Sequence, residues 1–177
     1  MKCQRTPKRR QNGALQIMPM SEITTLLEIV DQAFDHVSWH GTNLRGSIKL
    51  VKANDAAWRP APGRHNIWET VVHAAYWKYV VRRRLRSEPK GTFPLKGSNW
   101  FKRPAGDEVT KDAWRADVVL LVETHRSLRE AIEQLPLREL HITPSGSKVS
   151  NFSVIAGIAA HDLYHAGQIQ LLKRLRK

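Results

Sequence analysis

Cysteine is nearly absent: the 177-residue chain has one, Cys3, in a polar N-terminal segment. A single thiol closes no intramolecular disulfide, so a disulfide framework is excluded and a reducing cytoplasm is the simpler compartment. Long apolar runs are missing too, none approaching the roughly 18 residues of a membrane-crossing helix. The basic start Met1 to Arg10 is not followed by the apolar region of a signal peptide, so neither export nor membrane insertion is expected. Internal repeats and strand-like alternation of any length are also lacking. Acids are scarce at both ends. Residues 1–19 carry Lys2, Arg5, Lys8, Arg9 and Arg10 with no acid, and the last five carry Lys173, Arg174, Arg176 and Lys177. These ends supply +5 and +4 of the formal net charge of +13, leaving +4 for the body. An excess held in two termini, and not along a patterned groove, ranks nucleic-acid binding last among the functional readings. Residues 1–19 are expected to form a disordered tail, with Met18 and Met20 as alternative starts. Residues 20–177 fit one domain large enough to bury a core.

What is present is helical periodicity. Ile23, Leu26, Leu27, Val30 and Phe34 recur at spacings of three and four behind Ser21, a good N-cap, and predict a first helix over about 21–36. After a break at Trp39-His40-Gly41, a shorter amphipathic piece runs through Leu44, Ile48, Leu50 and Val51 to the turn Trp58-Arg59-Pro60-Ala61-Pro62-Gly63. The stretch from Asn66 to Val81 has no Gly or Pro and is apolar almost all round, which predicts a central helix. A connection over 87–108 is rich in Gly and Pro yet carries Phe93, Leu95, Trp100 and Phe101, which suits a packed lid or pocket wall. The third long helix starts at Thr110 with Trp114, Val118, Leu121, Val122, His125 or Leu128, and Ile132 on its core face, and ends by Leu135-Pro136. Residues 137–149 connect it onward, with a short extended hairpin at Leu140-His141-Ile142. The last helix, capped by Ser150 or Asn151, reaches Leu175. Four helices with long connections make an all-α bundle.

The chemistry concentrates in His161-Asp162-Leu163-Tyr164-His165. Histidines at i and i+4 share a helix face one turn apart, so two imidazoles can meet at one metal ion. The string resembles the H-E-x-x-H of zinc proteases, but Asp replaces the longer Glu, and residues 166–177 contain no His, Cys, Asp or Glu to act as a third ligand downstream. A further ligand must come from upstream. On the helical wheel Val154, Ile158, His161, His165, Gln168 and Leu172 form one stripe, apolar at both ends and polar in its middle. His73 sits in the most apolar helix, sharing a face with Asn66, Thr70, Trp77 and Val80. Three neutral imidazoles from two helices would leave open coordination positions, as in catalytic sites. His65 sits at a helix start, His125 and His141 read as surface or satisfied core residues, and His40 is a candidate for lining the site.

These residues resemble a known family. The pattern H-x-x-x-H-x-G-Q-I-x-x-L, met by His161, His165, Gly167, Gln168, Ile169 and Leu172, is similar to the signature of the DinB/YfiT-like superfamily. His73 to Tyr79 is similar to its second-helix histidine segment. Trp39-His40-Gly41, Trp58-Arg59-Pro60 and Gly97-Ser98-Asn99-Trp100-Phe101 resemble one of its subgroups, so the likeness spans about residues 20–177. It implies a four-helix bundle with a long crossover connection, homodimers, and a divalent metal, nickel or zinc, on His73, His161 and His165. Characterised relatives include thiol-dependent S-transferases, a thiol-dependent isomerase and metal-dependent hydrolases, acting on small molecules with, in some, a low-molecular-weight thiol.

Two routes then stand open. A bound metal can lower the pKa of a water to near neutrality, or bind a thiol as thiolate and hold it as nucleophile. The water route needs a base. Glu69, one turn before His73, and Asp162, turned about 100° from His161, are the candidates; Asp162 equally suits orienting a ligand or facing solvent. Tyr164 and Gln168 are candidate ligand hydrogen-bonders, and Trp77 and Trp100 candidate apolar walls, each also explicable as packing. A non-enzymatic metal-binding or stress-response protein is the alternative from another class.

Overall fold

Each long helix begins where a small polar side chain can accept from the first free backbone N–H groups. The computed structural model describes residues 20–89, 91 and 93–176; the basic segment 1–19 lies outside them. Helix α1 spans Glu22–Phe34, with Ser21 accepting from the Thr24 N–H. The chain between 43 and 58 forms two short helices, α2 (Leu44–Ser47) and α3 (Ala53–Ala57), and not one piece. Leu50 between them has a positive φ of 64°, which interrupts any continuous helix. Helix α4 (Ile67–Leu85) opens on a capping box: Asn66 accepts from the Glu69 N–H, and the Glu69 carboxylate accepts from the Asn66 N–H. Helices α5 (Lys111–Glu133) and α6 (Asn151–Leu175) are capped by Thr110 and Ser150.

The four long helices close into a bundle. Helix α4 packs on α5 and α6, and α1 packs on the same two, so α1 and α4 sit across the bundle from each other. The connection through α2 and α3 crosses over, α2 resting on α6 and α3 on α4 and α5. The expected hairpin at 140–142 does not form, and the described residues contain no strand. A 3-10 turn at Leu137–Glu139 takes its place. The Leu140 and Ile142 carbonyls accept from the N–H groups of Phe152 and Asn151, the free donors at the start of α6, and so cannot serve a strand ladder.

The aromatics of the 87–108 connection are packed, as expected. Phe93 and Phe101 are buried and lie 5.4 Å, centroid to centroid, from Tyr76 of α4. The interior falls into two apolar clusters. One surrounds Trp68, Val71, Val72, Trp114 and Leu121, the other Leu26, Val30, Leu128, Ile132 and Ile155. Between them in sequence on three helices come buried polar residues: Lys78 on α4, His125 on α5, and Asp162 and His165 on α6. A polar layer thus crosses the middle of an apolar bundle, where each group needs a partner or costs about 1–3 kcal/mol.

That layer revises two sequence expectations. On α5 the core face takes both His125 and Leu128, as the expectation allowed, but it also buries Asp117, while Val118 and Val122 are only half-buried. On α6 the buried face runs through Ile155, Ile158, Ala159, Asp162, His165, Ala166 and Ile169. The stripe drawn through Val154, His161, Gln168 and Leu172 is therefore the margin of the buried face, facing the seam with α4.

Candidate metal centre

The seam between α4 and α6 brings His73, His161 and His165 together, with one ligand atom of each within 4.8 Å of the others. The Nε2 atom of His161 lies 3.1 Å from that of His73 and 3.0 Å from that of His165. The outer ring nitrogens of His73 and His165 are already committed, whereas the buried Nδ1 of His161 has no hydrogen-bond partner among the described residues. The Nδ1–H of His73 donates to the Asn99 carbonyl at 2.8 Å, and that of His165 donates to Gln168 Oε1 at 2.7 Å. A neutral imidazole has one N–H, so both of these rings present a bare Nε2 lone pair. His161 can donate from its own Nε2 to only one of them. At least one of the two close N···N contacts therefore lacks a proton.

Protonating the rings is not the remedy. Burial holds His161 down to about 3, with the neighbouring His165, His73 and Lys78 adding to the effect. Burial likewise lowers His165 to about 4 against the opposing Gln168 hydrogen bond, and lowers His73 against that of Asn99. Three neutral nitrogens aimed at one point are the form in which histidine binds a metal. Nitrogens ~2.0–2.1 Å from a shared ion and about 95–110° apart sit roughly 3.0–3.4 Å from one another, which the two contacts match. The donor set fits a divalent cation.

Aromatic rings frame the cluster. Trp100 stacks on His73 with centroids 3.9 Å apart and planes 11° from parallel, and its ring also stacks on His65 at 3.6 Å and 6°. Trp77 meets His73 and His161 edge-on and donates its Nε1–H to Asn99 Oδ1 at 3.0 Å. Tyr164, largely exposed, stands edge-on to His165. Trp77, Trp100 and Tyr164 thus lie against the histidines. Gln168 is also there, but its oxygen is taken by His165. His40 is not: it is exposed, and among the described residues it bonds only Ser38, at 3.3 Å, and joins none of the triad's ring contacts or hydrogen bonds.

The two candidate bases are engaged elsewhere. Glu69 is 5 % exposed and bound by Arg59, by the His65 Nδ1 at 3.1 Å and by the Asn66 N–H. Burial alone would raise its pKa, but those hydrogen bonds and the Arg59 charge hold it below the usual value. Asp162 neither faces solvent nor orients a histidine; it is fully buried and paired with Lys78, also fully buried. Sequence reasoning missed Lys78. Its signal was a cation on the apolar seam Val71, Ala74, Ala75, Val81 and Leu85 of α4. It also missed Asn99 and His65. Hollows of about 730 and 1020 Å³ lie away from the triad, the first beside α1 at Ile23, Leu27 and Leu137, the second between α3 and α5 at Val51, Trp114 and Val122. Among the described residues no helix is long and apolar enough to cross a membrane.

A search of curated proteins returns no match, and neither does a search of solved structures. A family model does match, over residues 36–169, a span that contains all three histidines and the α4–α6 seam. With an all-helical bundle around that span, the chain belongs to the DinB superfamily.

Proposed function

We propose that this chain binds a divalent metal ion, nickel or zinc, through His73, His161 and His165, and uses it to act on a small molecule with a low-molecular-weight thiol as co-substrate. One observation carries the metal assignment: three Nε2 atoms converge while the Nδ1 protons of two of the rings are spent on Asn99 and Gln168. When bound, such an ion supplies a Lewis acid that lowers the pKa of a thiol or water beside it. The chain's own residues favour the thiol. Glu69 is held by Arg59 and Asp162 by Lys78, so neither carboxylate serves as a base for water. Nor does either offset the ion's charge at the three neutral rings, which leaves the site suited to an anionic ligand. Trp77, Trp100 and Tyr164 give it apolar walls.

Elemental analysis of protein purified without an affinity tag tests the assignment. About one divalent ion per chain is expected for a single three-histidine site, and a His161→Ala/His165→Ala variant should lose it. Metal retained in that variant would overturn the site. Turnover is then sought with thiols and small electrophiles. The second reading, metal held without turnover, draws support from the two large hollows lying away from the triad. Loaded protein that stays silent across a broad thiol and electrophile screen would favour it.

A further inference from the structure

We propose that the loop over residues 97–101 positions His73, with the main-chain carbonyl of Asn99 and the ring of Trp100 as its working parts; this rests on the metal-binding reading above. His161 and His165 are set relative to each other by the spacing of one helix, and the Nδ1 partner of His165, Gln168, lies on that same helix. His73 comes from α4, so its ring must be aimed independently. The Asn99 carbonyl does this by accepting the Nδ1–H at 2.8 Å, which selects the tautomer whose Nε2 is bare. The ring plane is set separately. Trp100 lies parallel to His73 and is itself covered on His65, so the imidazole cannot swing without displacing an indole. His65 is anchored in turn by Glu69 at 3.1 Å, and Glu69 by Arg59.

The carbonyl is presented by an unusual backbone. Asn99 has a φ of 62°, the left-handed region that Asn tolerates better than most residues and that β-branched residues avoid. Its side-chain oxygen accepts from Trp77 Nε1, one turn beyond His73, so the loop is tied to α4 at His73 and Trp77 and to His65 just before that helix. Asn99 itself is exposed, and a substitution there leaves the core untouched.

The test compares Asn99→Val, which disfavours the left-handed backbone, with Asn99→Gly, which keeps it and lacks the side chain. Two readouts are taken on the full chain, with its helical circular dichroism confirming the fold. These are imidazole nitrogen NMR on metal-free protein, which reports the His73 tautomer, and zinc affinity by competition with a chromogenic chelator. Asn99→Val should lose the uniform Nδ1–H tautomer and bind zinc about 10–100-fold more weakly, the usual cost of removing a ligand's hydrogen-bond partner. Asn99→Gly should keep the tautomer and stay within about threefold of the parent affinity, because the carbonyl remains in place. Unchanged behaviour in Asn99→Val, or equal loss in both variants, would overturn the proposal. If the parent chain binds neither zinc nor nickel, the metal reading falls, and the imidazole spectra alone decide. The tautomer present in the parent and Asn99→Gly but lost in Asn99→Val supports the loop's role, and any other pattern overturns it.

Discussion

Lys78 of α4 and Asp162 of α6 form an ion pair from which solvent is fully excluded, beside the seam that carries the three histidines. Burial pushes the Lys78 ammonium down and the Asp162 carboxyl up, and each is opposed by the other's charge. Such a pair does little for net stability, but breaking it strands a charge in the core. Lys78→Met alone should therefore destabilise the fold by about 3–5 kcal/mol, read from urea unfolding. Lys78→Met combined with Asp162→Leu should recover most of that loss. A double variant no more stable than the single one would show that the two charges are not coupled.

Glu69 invites the opposite expectation from that of a catalytic base. Its carboxylate closes the α4 capping box and holds Arg59 and His65, without touching the triad. Glu69→Gln should keep about one ion per chain at saturating metal, because Glu69 reaches His73 only through His65 and Trp100, and should cost about 1–3 kcal/mol of stability, the usual range for weakening a charged, buried hydrogen-bond set. Metal loss in this variant with a normal unfolding midpoint would return Glu69 to the site.

What could be foreseen follows the range over which the determining forces act. Ser21, Asn66, Thr110 and Ser150 start their helices through bonds to residues three positions on, which sequence displays directly. The i and i+4 pair His161 and His165, and a histidine inside the most apolar helix, are likewise local patterns. The burial of Asp162 was not legible, because its partner is 84 positions away. Centring the α6 stripe on the histidines hid it, since His161 reaches into the seam from the margin of the buried face while His165 lies within that face. Asn99 was hidden for another reason: every residue has a carbonyl, and only the fold decides which one meets His73. The false hairpin at 140–142 came from reading short apolar alternation without asking which carbonyls the start of α6 would claim.

Metal retention should resist acid further than ordinary histidines allow. Protons compete with a metal only as pH approaches the folded pKa of each ligand, and burial lowers all three, to about 3 for His161 and about 4 for His165. The apparent zinc affinity should therefore fall less between roughly pH 7.5 and 5.5 than that of a site built from unshifted ligands near 6.5, which would begin to lose the ion there. Chelator competition across that range measures it. A steep fall starting near pH 6.5 would mean that the rings are not held neutral by their surroundings.

Stability without metal should show the reverse sensitivity, and His125 isolates it because it is not a ligand. Its ring stacks on Phe34 at 3.6 Å, and burial, with Lys78, Arg129 and His36 nearby, lowers its pKa to about 2. The unfolded chain takes up that proton near pH 6.5 while the folded chain refuses it. Below about pH 6.5 the unfolded state thus binds more protons, and stability falls with falling pH by up to about 1.4 kcal/mol per unit for this one group. His161 and His165 add slopes of the same sign. His125→Phe removes the titration while keeping an aromatic ring against Phe34, so its urea-unfolding free energy should decline less steeply than the parent's from pH 6.5 to 5, by close to one proton's worth. Identical slopes would show that the folded protein accommodates a charged His125.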